Sequence, residues 1–312
     1  MRPASITYRA VGFGSHHWEV VDSAGVRWFA TADELSNRQV SLSESADCAL
    51  GRVRAALGAA IDLRACGRSF VVAPVPAVGG EPAVRAGTGF AVALYPFVAG
   101  QSFGWGEFSS PAHRRAVLDL VTAVHTAPAA ARARARTDDC AIPHRDELEA
   151  AVDGAAAAGI GGSGPFSRPM ASLMRAHRAP VRALLARYDE LAALARSEPA
   201  RAVLTHGEPH PGNTMLTSDG WRLIDWDTAL IAQPERDLWL LGREDGTLLE
   251  AYAEATGVRP QPSLLELYRI RWDLADVAVD VSRFARPHRG SADDEASWEN
   301  LRSLVARVGA GT

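Results

Sequence analysis

Within one short stretch the chain reads Thr205-His206-Gly207-Glu208-Pro209-His210-Pro211-Gly212-Asn213, and a little further on Leu223-Ile224-Asp225-Trp226-Asp227. A carboxylate, an amide and two more carboxylates recur here at spacings that a loop and a hairpin can bring together. Glu208 lies five residues before Asn213, and Asp225 lies twelve after it, a span that a hairpin can fold back on itself. An amide oxygen and a carboxylate side by side make a weak, open magnesium site, which keeps waters and completes its shell with phosphate oxygens. A second carboxylate facing an acceptor hydroxyl supplies the proton acceptor. Together these are the parts that phosphoryl transfer needs.

The elements around this segment must hold it. Residues 5–31 read as an antiparallel meander: Ile6, Tyr8 and Ala10 alternate with polar neighbours, Trp18–Val21 follows, Asp22-Ser23-Ala24-Gly25 reads as a turn, and Val26–Phe29 returns. Residues 43–58 read as a helix with Ser43 as N-cap and Leu50, Val53 and Leu57 on one face. Phe70–Ala73 and Phe90–Tyr95 read as two further strands, completing a five-stranded unit with one helix. Pro96 to Gly106 reads as a linker, and Ser110-Pro111 as a helix start with proline at the first helical position. Beyond it the pattern is helical, with a Gly/Ser/Pro-rich loop over 158–169, a break at Pro180 in the stretch 170–196, and helices over 235–256, 263–286 and 291–308. Asn213–Leu216 and Trp221–Ile224 read as a short hairpin, so Glu208 and Asn213 fall on a loop and Asp225 just past a strand end. The expected class is α+β and bilobal: 1–95 as a strand-rich lobe with one helix, 96–106 as a linker, 107–312 as a helical lobe carrying the motif.

The segment resembles the catalytic and metal-binding loops of the aminoglycoside phosphotransferase/choline kinase superfamily, which shares the protein-kinase fold. The family pattern H-G-D-x-x-x-x-N followed by I-D-[WF]-[DE] is matched by His206-Gly207-Glu208 to Asn213 and by Ile224-Asp225-Trp226-Asp227; Pro234-x-x-Asp237-Leu238 resembles the element that buttresses the metal loop. The resemblance implies a transfer of the γ-phosphate of ATP or GTP to a hydroxyl of a small molecule, an antibiotic or other amino-sugar-like acceptor being favoured. It implies Asn213 and Asp225 as magnesium ligands, Glu208 in the place of the catalytic aspartate, and Asp227 helping the metal or facing the substrate. Gly12, Gly14 and Ser15 belong to the candidate phosphate-covering turn; His16 and His17 follow on opposite faces of a strand, so at most one of them, or else Arg9 or Arg27, supplies a cation to the phosphates. Tyr95 and Phe97 resemble the hinge that binds the adenine edge. Asp273 and Asp276 share a face of a late helix that lines the acceptor pocket in the family, although solvated or arginine-paired acids fit the same pattern.

Two departures stand out. Glutamate at 208 has nearly the pKa of aspartate but is one methylene longer, and a base misplaced by about 1 Å loses on the order of a hundredfold in rate unless the loop adjusts. The family's third-strand lysine, which grips the nucleotide phosphates, has no counterpart: the 33 basic residues are all arginine, and Thr31 or Ala30 stands in its place. Glu44 or Asp47 would be the old helix partner of that lysine. A kinase-fold binding protein without transfer activity is the rival reading, and a metabolic kinase of choline, homoserine, a sugar or an amine is a third.

Composition narrows the field. A net charge of −4 gives no electrostatic support to a nucleic-acid partner. Three scattered cysteines, Cys48, Cys66 and Cys140, exclude a C-x-x-C zinc or dithiol site and suit a reducing cytoplasm. No secretion signal is recognisable, and no apolar run approaches the roughly 18 residues of a membrane span. Nothing in the pattern specifies an oligomeric state.

Overall fold

The computed structural model describes residues 2–11, 14–154, 163–242 and 246–309. They fall into two compact units, each assembled from three separate segments. The first unit comprises Met1–Gln39, Ser45–Asp138 and Pro199–Gln261. Its largest sheet is antiparallel, with β1 (Pro3–Arg9), β2 (Ser15–Asp22), β3 (Arg27–Glu34), β4 (Val84–Ala86) and β5 (Phe90–Pro96) in the order β1-β2-β3-β5-β4. The β2–β3 turn forms where the sequence places it. The Asp22 carboxylate accepts from the amides of Ala24 and Val26, both at 2.9 Å, and Gly25 takes the left-handed φ of 81° that closes the turn.

One strand is not where the apolar run predicts it. Phe70–Ala73 is no strand of this sheet; β4 at Val84–Ala86 fills the fifth place. Val71 instead makes a single parallel bridge to Leu223, and Val72 donates to the Leu223 carbonyl at 3.0 Å. The apolarity of this run reflects burial: Val71 is 2% exposed, inside the core.

Helix α1 (Ala46–Ala65) starts later than expected, with Ser45 as N-cap accepting from the Cys48 amide at 3.2 Å. Its small-residue face lets it lie close to the sheet. Leu50 packs with Leu35 and Ala91, while Val53, Ala56, Leu57 and Ala60 join Ala93, Val71, Leu204, Leu223 and Trp226 in one buried cluster. Helix α2 (Pro111–His125) begins at the expected Ser110 cap. The stretch read as a linker contains a two-residue strand, β6 (Gln101–Ser102), paired with β8 (Thr214–Thr217), which pairs in turn with β9 (Gly220–Leu223). β7 (Val203–Thr205) pairs with β10 (Leu230–Ala232).

The second unit comprises Val40–Glu44, Asp139–Glu198 and Pro262–Thr312, and its regular elements are helices. The helix Pro262–Ala285 is its centre. Leu267, Ile270, Leu274, Val277, Val281 and Phe284 recur at helical spacing and are buried. Against it pack the helices Arg145–Val152, Arg178–Ser197 and Ala292–Gly309. The break expected at Pro180 falls at His177, between Ser167–Ala176 and Arg178–Ser197. Pro180 then sits in a first helical turn, where its missing N–H leaves no bond unmade. No helix among the described residues is long and apolar enough to cross a membrane.

Candidate active site

The loop carrying Glu208 leaves β7 and turns sharply at Gly207, whose φ is 101°. A Cβ there would sit 2.4 Å from the Arg236 guanidinium. That guanidinium cannot withdraw cheaply, because it donates to the Thr205 hydroxyl and the Thr228 carbonyl, both at 2.9 Å. Glycine is therefore required twice over, for backbone conformation and for space.

His206 is fully buried and ties two loops together. Its Nε2 donates to the Ile224 carbonyl at 2.8 Å, and its Nδ1 accepts from the Glu208 amide at 3.2 Å. That pattern needs the neutral ring, and burial lowers its pKa in the same sense. Asp237 holds the loop from behind. Its carboxylate accepts from the amides of His206 at 2.8 Å and Gly207 at 2.6 Å, and from His125 Nε2 at 3.1 Å. The Tyr252 hydroxyl completes the chain by donating to His125 Nδ1 at 2.9 Å. Burial by itself would raise the Asp237 pKa; the His125 bond and the positive surroundings outweigh it and leave it lowered.

Asn213 is buried, and its side-chain amide donates to the Glu208 carbonyl at 2.9 Å. With the nitrogen so committed, the oxygen is the end left to bind something else. The backbone carbonyl of Asn213 accepts from the Ile224 amide at 2.9 Å, which sets the approach to Asp225. Asp225 itself has φ 63°, a left-handed conformation that non-glycine residues adopt rarely and at a cost. Its pKa is raised well above the ordinary carboxylate value, first by the neighbouring Asp227, then by burial and by Glu208. Glu208 is half-buried; burial first, and Asp227 second, push its pKa up to about 7. His210 Nε2 lies 4.0 Å from Glu208 and its ring meets the exposed Trp105 edge-on.

These carboxylates crowd one place, and added positive charge there relieves the repulsion. An oriented Asn213 oxygen beside Asp225 fits a divalent cation by donor type. Among the described residues no group of three or more His, Cys, Asp or Glu forms a closed metal cage, so any ion held here takes most of its shell from elsewhere, as an open magnesium site does.

On the sheet side, Gly12 lies outside the described residues. Gly14 has φ 83°, turning the chain into β2. Ser15 follows it and its hydroxyl donates to Asp33. The register pairs His16 with Ala32 and His17 with Thr31, so strand alternation sends His16 to the face of Trp18 and Phe90, opposite Thr31 and Asp33. It is His17 that shares their face, stacked on Phe29. Arg9 and Arg27 both pair with Glu19. Thr31, one of the two residues read in the place of the family's lysine, bonds the Tyr95 hydroxyl, whose pKa burial raises. The Phe97 amide donates to the Arg27 carbonyl at 3.3 Å, and the Arg27 guanidinium covers the Phe97 ring at 3.6 Å. Asp47 pairs with Arg85, and Glu44 belongs to the second unit, where it accepts from the Val40 amide. Asp273 and Asp276 also lie in the second unit, on Pro262–Ala285, with Asp273 near Arg269 and Arg307.

The sequence reading passed over Arg38 and Asp33. Arg38 donates to Asp33 at 2.7 Å and to Ser15 at 3.2 Å, and pairs with Asp227 at 2.5 Å. Neither residue belongs to a recognisable motif. The only signal was an aspartate alternating with Thr31 along β3.

Comparison with known proteins agrees with this architecture. The model of the phosphotransferase enzyme family matches residues 28–270. Protein StrN of Streptomyces griseus is 33% identical over 246 residues, covering 75% of this chain and 71% of its own. The crystal structure of spectinomycin phosphotransferase with ADP and spectinomycin superposes with a TM-score of 0.69 at 15% identity, over 98% of this chain and 92% of that one. Choline kinase LicA from Streptococcus pneumoniae gives 0.57 at 11% identity, over 98% and 95%. These likenesses make the fold kinase-like, an N-terminal five-stranded antiparallel sheet with its helix followed by a largely helical region. Because the family model spans most of the chain, and a relative at one-third identity covers three quarters of it, the protein belongs to the phosphotransferase enzyme family.

Proposed function

We propose that this protein is a magnesium-dependent O-phosphotransferase that moves the γ-phosphate of a nucleoside triphosphate to a hydroxyl of an antibiotic-like, amino-sugar-containing small molecule. The observation that carries the reading is the bracing of two loops by one ring: His206 joins the Glu208 amide to the Ile224 carbonyl, immediately before Asp225. Such bracing holds a carboxylate and a metal-loop aspartate in fixed register, which is what positioning catalysis needs. Asn213, through its oxygen, and Asp225 would hold the ion. When bound, the ion neutralises charge on the phosphates. Glu208 orients the acceptor hydroxyl and takes its proton as the new O–P bond forms and the bond from the γ-phosphorus to the β-phosphate oxygen breaks. Spectinomycin phosphotransferase, whose crystal structure holds ADP and spectinomycin, supports an antibiotic-like acceptor by similarity of fold.

The test is mass spectrometry of aminocyclitol and aminoglycoside acceptors incubated with enzyme, ATP and magnesium. One acceptor is expected to gain a single phosphoryl group. Glu208→Gln is expected to lower kcat by on the order of 10²–10⁴ with the fold intact, and Asp225→Ala to abolish metal-dependent turnover. Wild-type rates in both variants would sink the assigned roles.

A further inference from the structure

We propose that Arg38 is the cation that grips the nucleotide phosphates in place of the absent lysine, with Asp33 as its anchor. The inference rests on the phosphotransferase reading above and deepens it. With no lysine anywhere in the chain, any basic contact to phosphate must come from arginine or histidine. Arg9 and Arg27 are engaged with Glu19, and His16 is on the other face of the sheet. Arg38 is differently placed. It bonds Ser15, the first residue after the Gly14 turn, and it pairs with Asp227, two residues past Asp225. One guanidinium therefore joins the turn that would cover the phosphates to the loop that would hold their metal.

The anchoring carboxylate is as well defined as the cation. Asp33 is 6% exposed and receives both Ser15 and Arg38. It lies two residues after Thr31 on β3, on the same face. The ion pair of a lysine with a helix glutamate is thus replaced by an arginine with a strand aspartate, displaced along the same strand. A guanidinium has five N–H donors in a planar fork. The contacts to Asp33, Ser15 and Asp227 engage three of them, and an anionic phosphate can displace the Asp227 carboxylate while Asp33 keeps the arginine aimed. The planar fork suits phosphate oxygens bidentately, which a lysine does not.

Calorimetric titration of ADP and of adenosine into wild type, Arg38→Gln and Arg38→Lys tests this. Arg38→Gln is expected to weaken ADP by about 10- to 100-fold, the range of a lost charge-assisted pair, while adenosine affinity stays within about twofold; Arg38→Lys is expected to recover part of the loss. An ADP affinity unchanged in Arg38→Gln overturns the role of Arg38 and leaves the phosphotransferase reading standing. Equal losses for ADP and adenosine also overturn it, since they mark a structural residue. A wild-type protein that binds neither overturns both. If Arg38→Gln fails to fold because Asp33 is left buried and unpaired, the Arg38→Gln/Asp33→Asn double variant, which removes both charges, carries the same expectation for ADP against adenosine.

Discussion

At the scale of single residues, the loop before Glu208 turns at a glycine whose site has no room for a Cβ. Gly207→Ala must take a φ of 101° with a methyl group 2.4 Å from an arginine that is itself bonded on two sides. The expected cost is about 2 kcal/mol in urea denaturation, from backbone strain of the order that such conformations carry, with a fall in transfer rate as Glu208 is displaced. Asp225 shows the opposite arrangement, an L residue holding a left-handed conformation at φ 63°. Asp225→Gly is expected to relieve that strain while removing a proposed metal ligand, so stability rises or holds while metal-dependent activity is lost. A stability gain with activity retained would contradict the assignment of Asp225.

Between elements, buried polar groups decide the geometry. Asp237, on the short helix Glu235–Leu238, satisfies two loop amides and the His125 ring of α2. Asp237→Ala leaves all three buried and unpaired, and the expected loss is about 3–5 kcal/mol in chemical denaturation. Asp280, on Pro262–Ala285, gives a pH signature. Burial raises its pKa from 3.8 to about 6, against the bonds from Asn300 and Ser297 and the nearby Arg283. A raised carboxyl pKa means the folded state binds the proton more tightly than the unfolded one. The contribution of Asp280 to stability is then greatest below about pH 4, falls as pH rises to about 6, and levels off above it, by on the order of 2–3 kcal/mol in all. Asp280→Asn is expected to flatten that slope and to be more stable than wild type above pH 6, as read by thermal unfolding across the pH range.

Over the whole molecule, neither compact unit is a continuous piece of chain. The core of the first unit joins Val53, Leu57 and Ala93 to Leu204, Leu223 and Trp226. β6 pairs with the distant β8, and Val71 bridges to the distant Leu223. A fragment ending at residue 198 keeps the whole five-stranded sheet and α1 but loses the far side of that core. It is expected to show no cooperative unfolding transition, in contrast to the full chain; a sharp transition in the fragment would mean that the sheet and helix suffice.

The sequence by itself determined that Glu208, Asn213 and Asp225 come close together, because they lie within one loop and one hairpin and their spacing carries the geometry. It determined the meander and the α2 cap for the same reason, since alternation and Ser-Pro signals act over neighbouring residues. The fourth strand, the face of His16 and the Arg38–Asp33–Asp227 cluster were decided only by tertiary structure. An apolar run such as Phe70–Ala73 records burial without recording its partner. A one-residue choice of register selects which histidine faces Asp33. Arg38 meets Asp227 across a long stretch of chain, through a turn, a sheet and the loop after β9 that no local pattern relates. Spacing along the chain encodes what neighbouring atoms can do together, whereas charges that meet across folded layers are set by packing.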